Sequence, residues 1–172
     1  IDPLGKDPVG DHNLKELHRF IKNETGVTIV DNDIVTDKSS SSAFGANDFR
    51  GEVADNNAAK TYLSALQGFG ASSPAFKESG ILTIDDKYSN EDTQGFNDNR
   101  ALRYTLPIIQ TAPSAVFAGN AGKHNLMTVT SLTSTRSNEA AYSYFVVCSS
   151  ASFVDDSFLV ETKYPNEEIL YS

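Results

Sequence analysis

The chain has 172 residues, a length that fits one domain with a single sizeable core. Lys and Arg number 14 against 23 Asp and Glu, the formal net charge is −9, and the sequence has no basic cluster. Such a chain repels a phosphate backbone, so nucleic acid is not a predicted partner. No apolar stretch reaches the roughly 18 residues that span a bilayer, and any membrane anchor is expected outside this fragment.

The first half of the chain predicts two helices with a strand between them. Leu14, Leu17 and Ile21 fall at helical spacing, which predicts a helix over 13–25. Gly26 supplies its C-terminal stop. The β-branched run that follows predicts a strand over 27–30, and helical spacing returns over 59–66.

Two stretches, 38–56 and 85–99, are dominated by polar residues and show no clear apolar period. Both are predicted to be surface loops. Two acidic groups in or near these stretches offer oxygens to Ca²⁺, namely Asp31, Asp33 and Asp37, and separately Asp85, Asp86, Glu91 and Asp92, but neither group has the spacing of a preformed calcium loop. Solvated acidic loops are therefore the preferred interpretation.

The second half is dominated by strand patterns and ends in a helix. Strands are predicted over 81–84, 101–106, 114–118, 126–132 and 144–148, and a C-terminal helix over 166–170. Pro107 is expected to end the strand over 101–106, because proline cannot donate a hydrogen bond to the neighbouring strand. The apolar run 144–148 is typical of a central strand buried on both faces.

The alternation of helices and strands predicts one α/β domain over 1–172. Its expected architecture is an open three-layer sheet, flavodoxin-like. Strand 144–148 is placed at the centre, with helix 13–25 packed on one face.

The predicted ligand site follows this central strand. Small polar residues come after it, and in open α/β sheets ligands bind beyond the carboxyl ends of strands. Ser149, Ser150 and Ser152 are expected to form a polar cup for a sugar hydroxyl, a carboxylate or a main chain, with Phe153 or a nearby tyrosine as its apolar floor. The alternative is that these serines only cap the following turn.

Cys148 offers a catalytic alternative, a cysteine-dependent hydrolase or amidotransferase-like enzyme. A nucleophilic cysteine needs a neighbouring base, and a nucleophile elbow needs flanking glycines. Val147 and Ser149 flank Cys148 instead, and no histidine of the sequence stands in a paired catalytic motif. A buried structural cysteine is the preferred interpretation, and no enzyme activity is predicted.

No metal or cofactor is predicted. His12, His18 and His124 have no second histidine at ligand spacing, which disfavours zinc. The glycines form neither a dinucleotide fingerprint nor a phosphate-binding loop.

The order of short motifs along the chain resembles a known family. They lie at residues 2–3, 13–17, 25–27, 34–37, 100–102, 129–134, 146–153 and 166–170 and include Asp2-Pro3, Asn13-Leu14-Lys15-Glu16-Leu17, Thr25-Gly26-Val27 and Asn166-Glu167-Glu168-Ile169-Leu170. In this order they are similar to the extracytoplasmic auxiliary domain of ABC-2 type transporters, the gliding-motility-associated family, which is related to an intraflagellar transport domain. Cys148 stands where that family has a glycine.

This resemblance implies a function and a location. The family's domain is an open, doubly wound sheet, so the resemblance also implies a fold like that of class I glutamine amidotransferases. The family lacks the catalytic residues of those enzymes, so the resemblance implies a non-catalytic binding module. Carbohydrate or protein, including transporter membrane subunits, is the implied partner, and the implied location is extracytoplasmic, on the cell-surface or periplasmic side of a membrane protein. The family's earlier strands have no counterpart here, so the fold is expected to be incomplete at the N-terminus.

Overall fold

The computed structural model describes residues 14–39, 47–63, 73–89, 96–97, 102–136, 139–154, 159 and 166–171. The helices are α1 (Lys15–Thr25), α2 (Asn57–Tyr62), α3 (Asp86–Ser89) and α4 (Asn166–Tyr171), with a 3₁₀ helix at Ala151–Val154. The strands are β1 (Val27–Val30), β2 (Asp48–Val53), β3 (Ala75–Lys77), β4 (Ile81–Ile84), β5 (Phe96–Asn97), β6 (Leu102–Thr111), β7 (Val116–Phe117), β8 (Asn120–Ala121), β9 (Asn125–Arg136) and β10 (Glu139–Cys148).

One curled antiparallel sheet, shaped like half a barrel, dominates the described part of the chain. Its eight strands include the path β1-β4-β9-β6-β2-β3, while β10 pairs with β9 and β5 with β6. Strand β9 organises the sheet. One of its edges pairs with β6, and the other pairs with β10 and, at Asn125, with β4.

The predicted α/β class, an open three-layer sheet of the flavodoxin or class I glutamine amidotransferase kind, is wrong. The described strands pair antiparallel throughout, and helices are few. The connection between the two long strands gives the physical reason. Only two residues separate the end of β9 at Arg136 from the start of β10 at Glu139. A parallel neighbour needs a crossover of a dozen residues or more, so this pair is antiparallel.

The central position predicted for residues 144–148 is also wrong. They form the end of β10, which pairs with β9 alone among the described strands. Side chains of successive strand residues point to opposite faces, so an apolar run does not require two covered faces. Here Phe145 and Val147 point towards α1 and the core, whereas Tyr144 and Val146 are exposed.

The predicted polar loops contain regular structure. Strand β2 lies within 38–56, and α3 and β5 lie within 85–99. Residues 40–46, 90–95 and 98–100 lie outside the described residues. The sequence of β2, Asp-Phe-Arg-Gly-Glu-Val, buries Phe49 and Gly51 between polar neighbours. A pattern with so few apolar residues was too sparse to indicate a strand.

Pro107 does not end its strand as predicted. Strand β6 continues to Thr111, with a register irregularity between Pro107 and Ile109. The Pro107 carbonyl accepts a hydrogen bond of 2.8 Å from the side-chain amide of Asn56, so this edge of the residue faces α2. A residue's N and carbonyl point to the same edge of a strand, so the missing N–H costs no hydrogen bond to β9.

Several local predictions are confirmed. Helix α1 occupies Lys15–Thr25 of the predicted 13–25, and residue 13 lies outside the described residues. Gly26 ends it in the left-handed conformation, with φ of 71° and its N–H bonded to the Lys22 carbonyl. A Cβ on Gly26 would lie 2.2 Å from the Tyr88 ring. Both the positive φ and this close contact therefore require glycine at this position. The strands predicted over 27–30, 81–84 and 126–132 and the helix over 166–170 are present, whereas the one over 114–118 shortens to β7.

Two apolar clusters form the core. The smaller one packs Ile21 of α1 on the sheet and comprises Ile21, Val27, Ile29, Leu82 and Val147. The larger one lies around β2, β3, β6 and β9 with α2, the 3₁₀ helix and α4. Helix α1 therefore covers one face of the sheet, hereafter the inner face, next to β6 and β10.

Candidate functional site

The predicted ligand-binding residues lie close together, at the turn that follows β10. Ser149 and Ser150 are buried, and the side-chain oxygens of Ser150 and Ser152 are 2.6 Å apart. The connection between β3 and β4, residues 78–80, packs against them. The sequence did not indicate this contact with the connection between β3 and β4.

The serine hydroxyls of this cluster are engaged within the protein. Ser149 shares a hydrogen bond of 2.7 Å with Ser79, and its N–H donates to the Leu126 carbonyl at 2.8 Å. The hydroxyls of Ser150 and Ser152 lie 2.8 Å and 2.6 Å from the Lys77 carbonyl oxygen. These contacts join the end of β10 to β3. The ligand-binding role of the serines stays a prediction, and a ligand would have to replace these bonds.

Phe153 lies in the core beneath this turn. It is 1% exposed, and its ring centroid lies 5.3 Å from that of Phe76. The Phe153 carbonyl, in the 3₁₀ helix, accepts a hydrogen bond of 3.0 Å from the side-chain amide of Asn166 in α4. Phe153 therefore packs the interior and offers no open floor to a ligand.

Cys148 is half-buried, and its thiol lies in the interior. Burial raises the pKa of the thiol to about 11, against smaller lowering contributions from hydrogen bonds with the backbone of Ser150 and Ser149. The sulfur lies 3.4 Å from the Ser150 carbonyl oxygen, to which the thiol donates. A thiol with a raised pKa holds little thiolate near neutral pH, and only the thiolate is a strong nucleophile.

The described residues hold no evident metal site, since no three His, Cys, Asp or Glu side chains among them are grouped to hold an ion. Arg103 of β6 is a buried charge, and its guanidinium donates to the Glu24 carboxylate of α1 at 3.1 Å. Next to it, the Thr105 hydroxyl donates a hydrogen bond of 2.6 Å to the Thr25 carbonyl, and its oxygen lies 2.8 Å from the hydroxyl oxygen of Thr130. These contacts attach the end of α1 to the inner face of the sheet.

The largest group of exposed apolar side chains on one strand lies along β10. Tyr142, Tyr144 and Val146 are 66%, 59% and 55% exposed, and they stand at every second residue. We call these three residues the exposed row. They project from the outer face, opposite α1, because strand residues two apart share a face.

The backbone edge of β10 beside the exposed row is long and regular. Ten consecutive residues pair with β9 without a bulge, from Glu139 opposite Arg136 to Cys148 opposite Met127. Natural edge strands are commonly protected by proline, lysine or a bulge. Residues 140–148 contain no proline and no charged residue. Within the part of the chain that the structure describes, this edge therefore lacks the usual protection against strand pairing.

Helix α1 adds apolar surface on the other side of the same edge. Phe20 is 52% exposed and Leu17 is 39% exposed. The Phe20 ring lies 6.4 Å from that of Phe145, on the inner face of β10. The edge of β10 is therefore flanked by apolar side chains on both faces of the sheet.

Sequence reasoning missed this surface although a signal was present. The signal is the alternation of Tyr142, Ser143 and Tyr144, which fits a strand, but the predicted strand began only at residue 144. Exposed and buried aromatic residues look the same in a sequence. The position of α1 determines which face of β10 is covered and which is exposed.

No helix in the described part of the chain is long and apolar enough to cross a membrane. Comparison with protein-family models, with curated proteins and with solved structures finds no match for this chain. The open, doubly wound sheet that the transporter resemblance implied is not the fold observed. The association with a transport system and the extracytoplasmic location remain predictions from short motifs, so the function has to be argued from the surface of the protein itself.

Proposed function

We propose that this chain is a non-catalytic protein-interaction module that binds an extended segment of a partner protein along β10. The observation that carries the proposal is the exposed row beside an unguarded strand edge. In strand addition, main-chain hydrogen bonds supply affinity, and alternate side chains of the two strands meet on each face. Strand β10 offers both elements over the same residues.

The exposed row supports a protein partner better than a small ligand. A small-molecule site is usually concave, with a few polar groups that converge on the ligand. The serines expected to form such a cup are bonded to Lys77 and Ser79. Tyrosine, by contrast, is enriched at protein interfaces, because it combines a large apolar ring with a polar hydroxyl.

Catalysis has less support than binding. The cysteine-dependent hydrolase alternative needs a reactive thiolate, and burial raises the pKa of Cys148 to about 11. The carbohydrate and transporter-subunit partners implied by the family resemblance have no separate support in the fold. Binding through the exposed row does not depend on either of them.

The proposal is tested with a phage-displayed library of ten-residue peptides, selected on the immobilised chain. Selected peptides are expected to alternate apolar and polar residues, and the double variant Tyr142→Ser/Tyr144→Ser is expected to weaken their binding by at least about tenfold. Val53→Ser, which alters an exposed apolar residue on β2, serves as the matched control. Peptides that bind the double variant as tightly as the unmodified protein would place the binding surface elsewhere.

A further inference from the structure

The middle of β10 is nearly symmetric in sequence, which identifies a partner for its edge. Ser143 is flanked on both sides by tyrosine, so the segment reads Tyr-Ser-Tyr in either direction. We propose that the partner strand is β10 of a second copy, paired antiparallel about a twofold axis that passes between the two Ser143 residues. This inference rests on the proposed function and names the partner of the same edge.

The register centred on Ser143 matches side chains on both faces. On the outer face, Tyr142 meets Tyr144 of the second copy, and the reverse pair forms by symmetry. On the inner face, the small Ala141 meets the large Phe145 of the second copy. Aromatic cross-strand pairs stabilise antiparallel ladders, and the small Ala141 leaves room for the Phe145 ring opposite it.

The apolar flank of α1 supports the same arrangement. An axis perpendicular to the sheet keeps both α1 helices on the inner face, on either side of the new strand pair. Phe20 and Leu17, which are exposed in one copy, would then approach the junction from both sides. Phe20 already contacts Phe145, so the second copy would extend an existing apolar cluster.

Electrostatics restricts where two copies can meet. Each carries a formal net charge of −9, so most contacts between two copies are repulsive. Residues 140–148 have no charged side chain. The uncharged strand offers a basic partner no local ion pair, whereas an identical acidic chain can pair there without placing its own charges opposite one another.

The first test places charges on the twofold axis. Ser143 is exposed, and residues directly opposite in an antiparallel pair have Cα atoms about 4.5–5.5 Å apart. Analytical ultracentrifugation over about a hundredfold range of concentration is expected to show a monomer–dimer equilibrium for the unmodified chain. Ser143→Asp and Ser143→Lys are each expected to raise the dimer dissociation constant by at least about tenfold, and their equimolar mixture is expected to recover dimers.

Thr83→Asp is the control, since it adds the same charge at an exposed position of β4, a strand paired on both edges. It is expected to leave the dissociation constant within about twofold of the unmodified value. A monomer at every concentration would overturn the second-copy proposal, and so would dimers that Ser143→Asp leaves unchanged or a mixture that recovers nothing. If the chain is monomeric but the double tyrosine variant loses peptide binding, the proposed function stands and only this inference fails.

A crosslinking measurement keeps the proposal testable if a charged variant fails to fold. Ser143→Cys places two thiols across the axis at a Cα separation that suits a disulfide. Mild oxidation is expected to give a covalent dimer in high yield, whereas Thr83→Cys is expected to give little. Equal yields from the two variants would contradict the proposed axis.

Discussion

Phe76→Ala is expected to lower the free energy of unfolding by about 3–5 kcal/mol, the usual cost of removing a fully buried phenylalanine. Phe76 lies on β3 and is completely buried. The Phe76 ring stacks on that of Phe49 of β2, with a centroid distance of 5.7 Å. It also packs against the ring of Phe153 in the 3₁₀ helix, at a centroid distance of 5.3 Å. It therefore joins the end of the sheet to the segment that follows β10.

The tight packing around Phe76 places the expected loss of unfolding free energy in the upper part of this range of about 3–5 kcal/mol. A Cβ built on Gly51 would lie 2.8 Å from the Phe76 ring and 2.6 Å from Ile109, so β2 approaches this ring as closely as a glycine allows. Chemical denaturation of the variant measures the loss. Val154→Ala, which truncates a half-exposed neighbour of Phe153, is expected to cost less than about 1 kcal/mol. Equal losses from the two variants would contradict the packing described.

Asn166→Ala is expected to lower the free energy of unfolding by about 3 kcal/mol, because it leaves three buried backbone groups without their partner. The Asn166 carboxamide accepts from the Ala75 N–H at 2.8 Å and donates to the Ala75 carbonyl at 2.8 Å. It also donates to the Phe153 carbonyl at 3.0 Å. The side chain is completely buried, so water does not replace these bonds at low cost.

Asn166→Asp separates hydrogen bonding from packing, because the two side chains have the same shape. A carboxylate would place an acceptor against the carbonyls of Ala75 and Phe153, so burial and repulsion raise its folded-state pKa above the unfolded value of about 4. Such a carboxyl group destabilises the folded state least at pH values below its unfolded pKa, because it is then protonated in both the folded and the unfolded state. The deficit of this variant is therefore expected to grow as pH rises above about 4 and to level off above the folded pKa.

Denaturation of Asn166→Asp and Asn166→Ala across this pH range provides the measurement. The alanine variant has no titrating group at this position, so its deficit relative to the unmodified protein is expected to stay constant. A deficit of the aspartate variant that does not change with pH would show that the carboxamide is not held between two carbonyl groups.

Local structure was more predictable than the arrangement of the sheet. Helix α1 and its stop at Gly26 follow from spacing and from one glycine, and β4 and much of β9 follow from β-branched runs. The pairing of β6 with β9 depends on residues about 25 positions apart that share no local signal, such as Thr105 and Thr130. The position of strands in a sheet is a tertiary property.

The surroundings of the predicted site could not be read from the sequence for the same reason. Ser149, Ser150 and Ser152 were recognised as a polar cluster, but the Lys77 carbonyl that engages two of them lies more than 70 residues away. The exposed row was missed because the sequence gives no sign of which face of β10 is covered. A sequence predicts a pattern of side chains more readily than it predicts what will cover them.

The open edge of β10 is the central claim, and amide hydrogen exchange at each residue of 141–147, followed by NMR in dilute solution, tests it most directly. In a strand paired on one edge only, alternate N–H groups bond to the neighbouring strand while the others face solvent. With an open edge, slow and fast exchange are expected at alternating residues along 141–147. Slow exchange at every one of these amides in the dilute monomer would show that β10 is paired on both edges and would contradict the open edge.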